Sequence, residues 1–296
     1  MSSTHPTKLF IFLLALITSL PASAEKSRRE QVLKLVAQIQ HADYAGDRPA
    51  LQRLYTALTP FVDDKELAAP VHYWRGFAQW RRALNGFNDS TDPKELEQDL
   101  KQAIEEFKLT LVRDPQFVDA EVGAVSCLGN LMFLSHDQAH TQELLQEMLP
   151  MMKDAQAVAP ENPRLLWVRG PQLWYLGEER GGGEDLAFAT YAKGLELARK
   201  QQVNDPLQPS WGEPELLMNL AWSNLHRKQP DLDAADQYAR QALRQVPYWH
   251  YVRDILLPQI QQARKKTGER ASREVNRNLP QFICFQFTPR SLCPPR

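Results

Sequence analysis

The feature that most constrains this chain is its period. From about residue 28 to about residue 266, apolar residues recur at i, i+3, i+4 and i+7 in segments of about 12 to 20 residues, and Pro, Gly and Asp break the segments apart. Strand-like alternation is nearly absent, so the pattern predicts an all-α protein. The segments also come in pairs, and the pairs share an order of small, aromatic and proline positions. One such pair covers only part of its own apolar surface. Stacked pairs bury the rest by covering one another, which predicts a continuous array in place of separate globules.

The shared order can be read residue by residue. In one pair Gly76 is the small residue of the first helix, inside Tyr73-Trp74-Arg75-Gly76-Phe77, and the second helix supplies Ala103, Phe107, Leu111 and Pro115, after an insertion from Asn85 to Glu97. The next pair has Ala124 or Val125 at the small position, then Met148, Met152, Ala155 and Pro160. Gly170 follows, with Ala187, Tyr191, Gly194 and Leu195 after a short glycine-rich insertion. A further pair ends with Ala235, Ala239, Ala242, Leu243 and Pro247. An atypical first pair, about Arg28 to Asp63, and a last helix from Tyr248 to about Lys266 complete the array.

This order resembles the tetratricopeptide repeat (TPR) pattern. The resemblance implies a right-handed superhelix of about five antiparallel helix pairs, a C-terminal helix and an irregular tail, with first helices lining an inner groove. Gly181-Gly182-Gly183, before a helix rich in Ala and aromatics, is also similar to the T component of TRAP transporters. That family is typically lipid-anchored, and this chain has no cysteine near residue 25 to carry a lipid.

The N-terminus predicts export. Lys8 precedes the apolar run Leu9 to Leu20, followed by Pro21 and Ala22-Ser23-Ala24, the pattern of a signal peptide (residues 1–24) cleaved before Glu25. The run is short for a membrane span of about 20 residues, so no transmembrane segment is expected after cleavage. The mature chain then divides into a repeat domain, 25–266, and a tail, 267–296, in the periplasm or outside the cell. In that oxidising setting Cys284 and Cys293 are expected to pair. Cys127, in an apolar stretch, reads as a small buried residue.

No catalytic signature is present: there is no G-x-S-x-G elbow, no H-E-x-x-H and no paired C-x-x-C. The chain therefore reads as a non-enzyme without cofactor. His136 and His140, with Asp137 beside them, lack a third metal ligand and read as a polar turn. Glu178, Glu179, Glu184 and Asp185 crowd the three glycines and would repel a phosphate, so that segment reads as a connection. Asn204 to Glu215, with Pro206, Pro209, Trp211, Gly212 and Pro214, reads as an extended connection whose Trp211 fills a gap between pairs or closes the groove as a lid.

Groove positions of first helices select Tyr73, Phe77, Trp80, Asn130, Arg164, Trp167, Trp174, Asn224 and Arg227. Aromatic bodies flanked by Arg and Asn suit a protein or peptide partner. A transport accessory holding a small apolar or amphipathic ligand is the alternative. Lys plus Arg number 35 against 36 Asp plus Glu, so no basic excess points to nucleic acid. Residues 264–296 hold eight basic and two acidic residues, together with Phe282, Phe285 and Phe287. This tail is expected to dock on its own acidic body, or to meet an anionic envelope surface.

Overall fold

The computed structural model describes the backbone of residues 8–278 and the side chains of residues 26–267. Among the described residues there are eleven α-helices and no strand: α1 (Lys8–Ala45), α2 (Arg48–Ala57), α3 (Ala68–Asn88), α4 (Pro93–Arg113), α5 (Val118–Leu134), α6 (Gln138–Val158), α7 (Pro163–Tyr175), α8 (Glu184–Lys200), α9 (Glu213–His226), α10 (Leu232–Gln245) and α11 (Leu257–Asn278). They pack as five consecutive pairs and a final helix, the arrangement that the sequence predicts. The first helices α3, α5, α7 and α9 also lie side by side. Each pair thus touches the next.

Chemistry at the boundaries explains where the helices start. Asp47, Asp92, Asp137, Asn162 and Asp231 each accept a hydrogen bond from a backbone N–H in the first turn of α2, α4, α6, α7 and α10. Proline occupies one of the first two positions of α2, α4, α7 and α9, where its missing N–H costs nothing. The expected insertion between Asn85 and Glu97 is mostly helix: α3 runs on to Asn88 and α4 begins at Pro93. His136 is exposed beside the Asp137 cap, and His140 faces Glu143.

Close helix contacts explain the small residues. A Cβ built on Gly76 would stand 2.8 Å from the Phe107 ring, and one on Gly170 would stand 1.8 Å from the Tyr191 ring. The glycine-rich connection before α8 is an ordered turn. Gly181 and Gly183 adopt positive φ, a Gly182 Cβ would collide with the Leu176 carbonyl at 2.0 Å, and the Gly183 N–H donates to the Leu173 carbonyl at 2.8 Å.

Helix α1 returns to the far end of the array. His41 stacks on Tyr248 and Tyr44 meets Trp249 edge-on, at 4.6 and 5.0 Å between centroids. The last helix departs from expectation: a π-helical turn, Tyr251–Leu256, precedes α11, which continues past Lys266 to Asn278. The expected irregular tail is therefore helical over 267–278. Among the described residues no helix is long and apolar enough to cross a membrane. The expected Cys284–Cys293 pairing lies outside the described residues. Cys127 is buried, and burial holds its thiol well above the ordinary range.

Candidate functional site

The inner face is where the expected groove should open, and half of it is filled. The connection between α8 and α9, residues 201–212, crosses it and buries Leu207, Pro209 and Trp211. The Trp211 ring packs among Phe77, Trp80 and Trp167, with centroids 5.6, 5.6 and 5.5 Å away. Its indole N–H donates to the Tyr73 hydroxyl at 2.8 Å. Trp74 donates its own indole N–H to the Leu207 carbonyl at 2.8 Å. First-helix side chains thus hold this segment by backbone carbonyls and by an aromatic anchor, as a groove would hold a peptide.

Two buried guanidinium groups complete the clamp. Arg164 donates to Asp119 at 2.6 and 3.1 Å and to the Trp211 carbonyl at 3.0 Å. Arg81 donates to Asp43 at 2.6 Å and to Glu215 at 2.8 Å, and Tyr44 donates its hydroxyl to the same Glu215 oxygen at 2.8 Å. The other Glu215 oxygen accepts the Gly212 N–H at 2.9 Å. Both guanidinium carbons lie over the Trp211 ring, at 5.2 and 5.9 Å. Burial alone would oppose the charge on Arg81, but Asp43 and Glu215 more than offset it and raise its pKa. Burial also pushes the Tyr73 hydroxyl upward, so it stays neutral and accepts from Trp211.

The expectation of an open groove lined by Tyr73, Phe77, Trp80, Arg164 and Trp167 is therefore corrected: all five are buried under segment 201–212. Asn224 is buried too, turning its amide back to the Leu220 carbonyl at 2.8 Å. Trp211 packs between the first helices α3 and α7 and covers the residues expected to line the groove. It occupies the inner face. The opening left beside it, between Tyr44, Gln201, Ser210 and Glu213, measures about 260 Å³, below the roughly 300 to 1,000 Å³ usual for ligand pockets.

Asn130, Trp174 and Arg227 stay at least partly exposed. They belong to the other half of the inner face, toward the C-terminal ends of the first helices. A Cβ on Gly129 would meet nothing within 4 Å, so the space in front of α5 is open. Along this edge runs a row of aromatic side chains of which the sequence reading selected only Trp174. Phe87 ends α3 and meets Phe133, at the end of α5, with centroids 6.1 Å apart. Trp174 and Tyr175 end α7, and Trp174 meets Trp222 of α9 edge-on at 5.1 Å. His226 stacks on Trp222 at 4.3 Å. Phe133 and Tyr175 are 78% and 75% exposed, the highest values of any described aromatic side chain. The signal available in the sequence was an aromatic residue in or near the last turn of every first helix from α3 to α9.

The turns after the first helices carry charges of both signs: Asp137 precedes α6, Glu178, Glu179 and Arg180 precede α8, and Arg227, Lys228 and Asp231 precede α10. Arg227 donates to Asp185 at 2.9 Å, tying two of these turns together.

No family model and no curated protein matches the sequence. Solved structures of similar architecture include two helical proteins. One is a thermophilic TPR protein from Thermus thermophilus, 22% identical, covering 78% of this chain and 98% of that one with a TM-score of 0.52. The other is the HusA haemophore from Porphyromonas gingivalis, 15% identical, covering 65% of this chain and 92% of that one with a TM-score of 0.52. At these identities the likeness is one of fold: the chain has a TPR-like, all-α helical-repeat fold.

Proposed function

We propose that this protein is an exported, non-enzymatic helical-repeat scaffold that holds a segment of a protein partner along the aromatic row. The observation that carries this reading is the exposure of Phe133 and Tyr175, beside the half-buried Trp174 and Trp222, on the part of the inner face that segment 201–212 leaves open. Exposed aromatic rings gathered near the ends of neighbouring helices cost solubility and mark contact surfaces. Repeat arrays offer such extended surfaces to polypeptides. Export to the periplasm or outside the cell is supported by Lys8, the Leu9 to Leu20 run and Ala22-Ser23-Ala24.

A second reading has its own support. The stacked Trp222 and His226 present a flat face at the surface, suited to a small planar or amphipathic molecule. One protein of similar fold is a haemophore, and the likeness to TRAP accessory components points the same way.

Native purification from the source envelope followed by mass spectrometry separates the two. A polypeptide retained by the wild type and lost from a Phe133→Ser/Tyr175→Ser variant is expected. A retained small molecule would favour the second reading, and retention unchanged by the double substitution would exclude the row.

A further inference from the structure

Six glycines stand inside helices α3 to α8, and packing accounts for five of them. A Cβ built on Gly76, Gly86, Gly123, Gly170 or Gly194 would stand 2.9 Å or less from another side chain, so the fold itself excludes a larger residue. Gly129 is the exception. It lies within α5, and a Cβ there would meet no described atom within 4 Å. Glycine is the poorest helix former after proline, so α5 is weakened at a point where nothing in its own packing requires it. We infer that the bare main chain at Gly129 is a contact point for the partner: an apolar side chain of the polypeptide held along the aromatic row seats directly on α5 there. The inference rests on the scaffold reading proposed above.

The surroundings of Gly129 fix the chemistry of that side chain. Gly129 and Phe133 are one turn apart and share a face of α5, and Phe133 is 78% exposed. The Phe87 ring, 6.1 Å from that of Phe133, extends the apolar rim to α3. The charged residues of α5, Asp119 and Glu121, lie in its first turn, far from Gly129. The Asn130 side chain is engaged along the helix, donating to the Ser126 carbonyl at 2.7 Å. A floor of bare main chain beneath aromatic rings, without a charge beside it, suits an apolar anchor and gives a charged one nothing to pair with. The missing Cβ lets that anchor reach the helix backbone.

Gly129→Ala separates contact from fold, because a position that serves only the fold does not gain stability while losing binding. Its urea midpoint is expected to rise above that of the wild type, since the added methyl group meets nothing and favours the helix. Partner contact is read in the source envelope as the yield of the polypeptide adduct from a photoreactive residue at position 175. That yield is expected to fall in Gly129→Ala, and to fall about tenfold in Gly129→Leu, whose side chain takes the place of the anchor. If Gly129→Leu does not fold, Gly129→Ala alone decides. A midpoint lowered by Gly129→Ala would overturn the inference, because the glycine would then serve the fold. An adduct undiminished in both variants would overturn it too, while leaving the aromatic row as the site. No adduct with Gly129 in place would overturn both the inference and the reading on which it rests.

Discussion

The indole N–H of Trp211 donates to the hydroxyl of Tyr73 at 2.8 Å, across 138 positions of sequence. This bond joins the connection between α8 and α9 to the first helix of the second pair, and it marks the half of the inner face closed by the chain itself. Trp211→Ala should cost about 3 to 5 kcal/mol, because a ring enclosed by Phe77, Trp80 and Trp167 leaves a cavity. Tyr73→Phe keeps the ring and loses only the acceptor, so about 1 to 3 kcal/mol is expected. Urea denaturation checks both. A Trp211→Ala midpoint equal to that of the wild type would mean that the segment does not fill the inner face in solution.

Arg81 stands between Asp43 of α1 and Glu215 of α9, with 4% of its surface exposed. Arg81→Met should cost about 3 to 5 kcal/mol, since it strands two buried carboxylates. The companion variant Asp43→Asn/Arg81→Met/Glu215→Gln should recover much of that loss. If the triple variant is no more stable than Arg81→Met, the cost comes from packing and the charges contribute little.

Glu106 gives a pH dependence with a definite sign. Burial, the largest influence, would raise its pKa, but hydrogen bonds from His72 at 2.6 Å and Arg75 at 2.9 Å outweigh it and hold the carboxyl below its ordinary value. A depressed folded-state pKa means that the unfolded chain binds the proton more readily. The stabilisation is therefore present above the ordinary glutamate pKa of about 4.3 and is lost as pH falls through the folded value. Glu106→Gln should be less stable than wild type at neutral pH, and the gap should narrow on acidification from about pH 6 to about pH 3. A gap that widens would contradict the assignment.

The pairs were legible because their marks are local. Ala103 and Phe107, Ala187 and Tyr191, and Ala235 and Ala239 stand four apart on one helix face, and Gly76 and Gly170 supply the close contacts. The filled inner face was not legible, because it depends on Tyr73 meeting Trp211 and Arg81 meeting Glu215. No local period encodes such pairs. Pro206 and Pro209 did mark an extended connection, but not the surface it covers. Most of the aromatic row was overlooked for a similar reason: apart from Trp174, the aromatic positions chosen as groove residues, such as Trp80 and Trp167, are the deep ones, and Phe133 and Tyr175 are nearer the helix ends.

Gly170→Ala tests the register of the fourth pair. Its Cβ would stand 1.8 Å from the Tyr191 ring, which is 2% exposed and has little room to move. A loss of about 1 to 3 kcal/mol is expected from overpacking. Adding Tyr191→Leu should return part of it, and a fully additive pair would show that the two residues do not touch.

The central claim is that partner contact falls on the aromatic row and not on the deep inner face. Site-specific photo-crosslinking in the source envelope tests it most directly, with the photoreactive residue placed singly at 133, 175, 80 and 167 and the adducts mapped by mass spectrometry. Positions 133 and 175 are expected to yield a common polypeptide adduct, and positions 80 and 167 only crosslinks within the chain. A partner adduct from 80 or 167, with none from 133 or 175, would contradict the account.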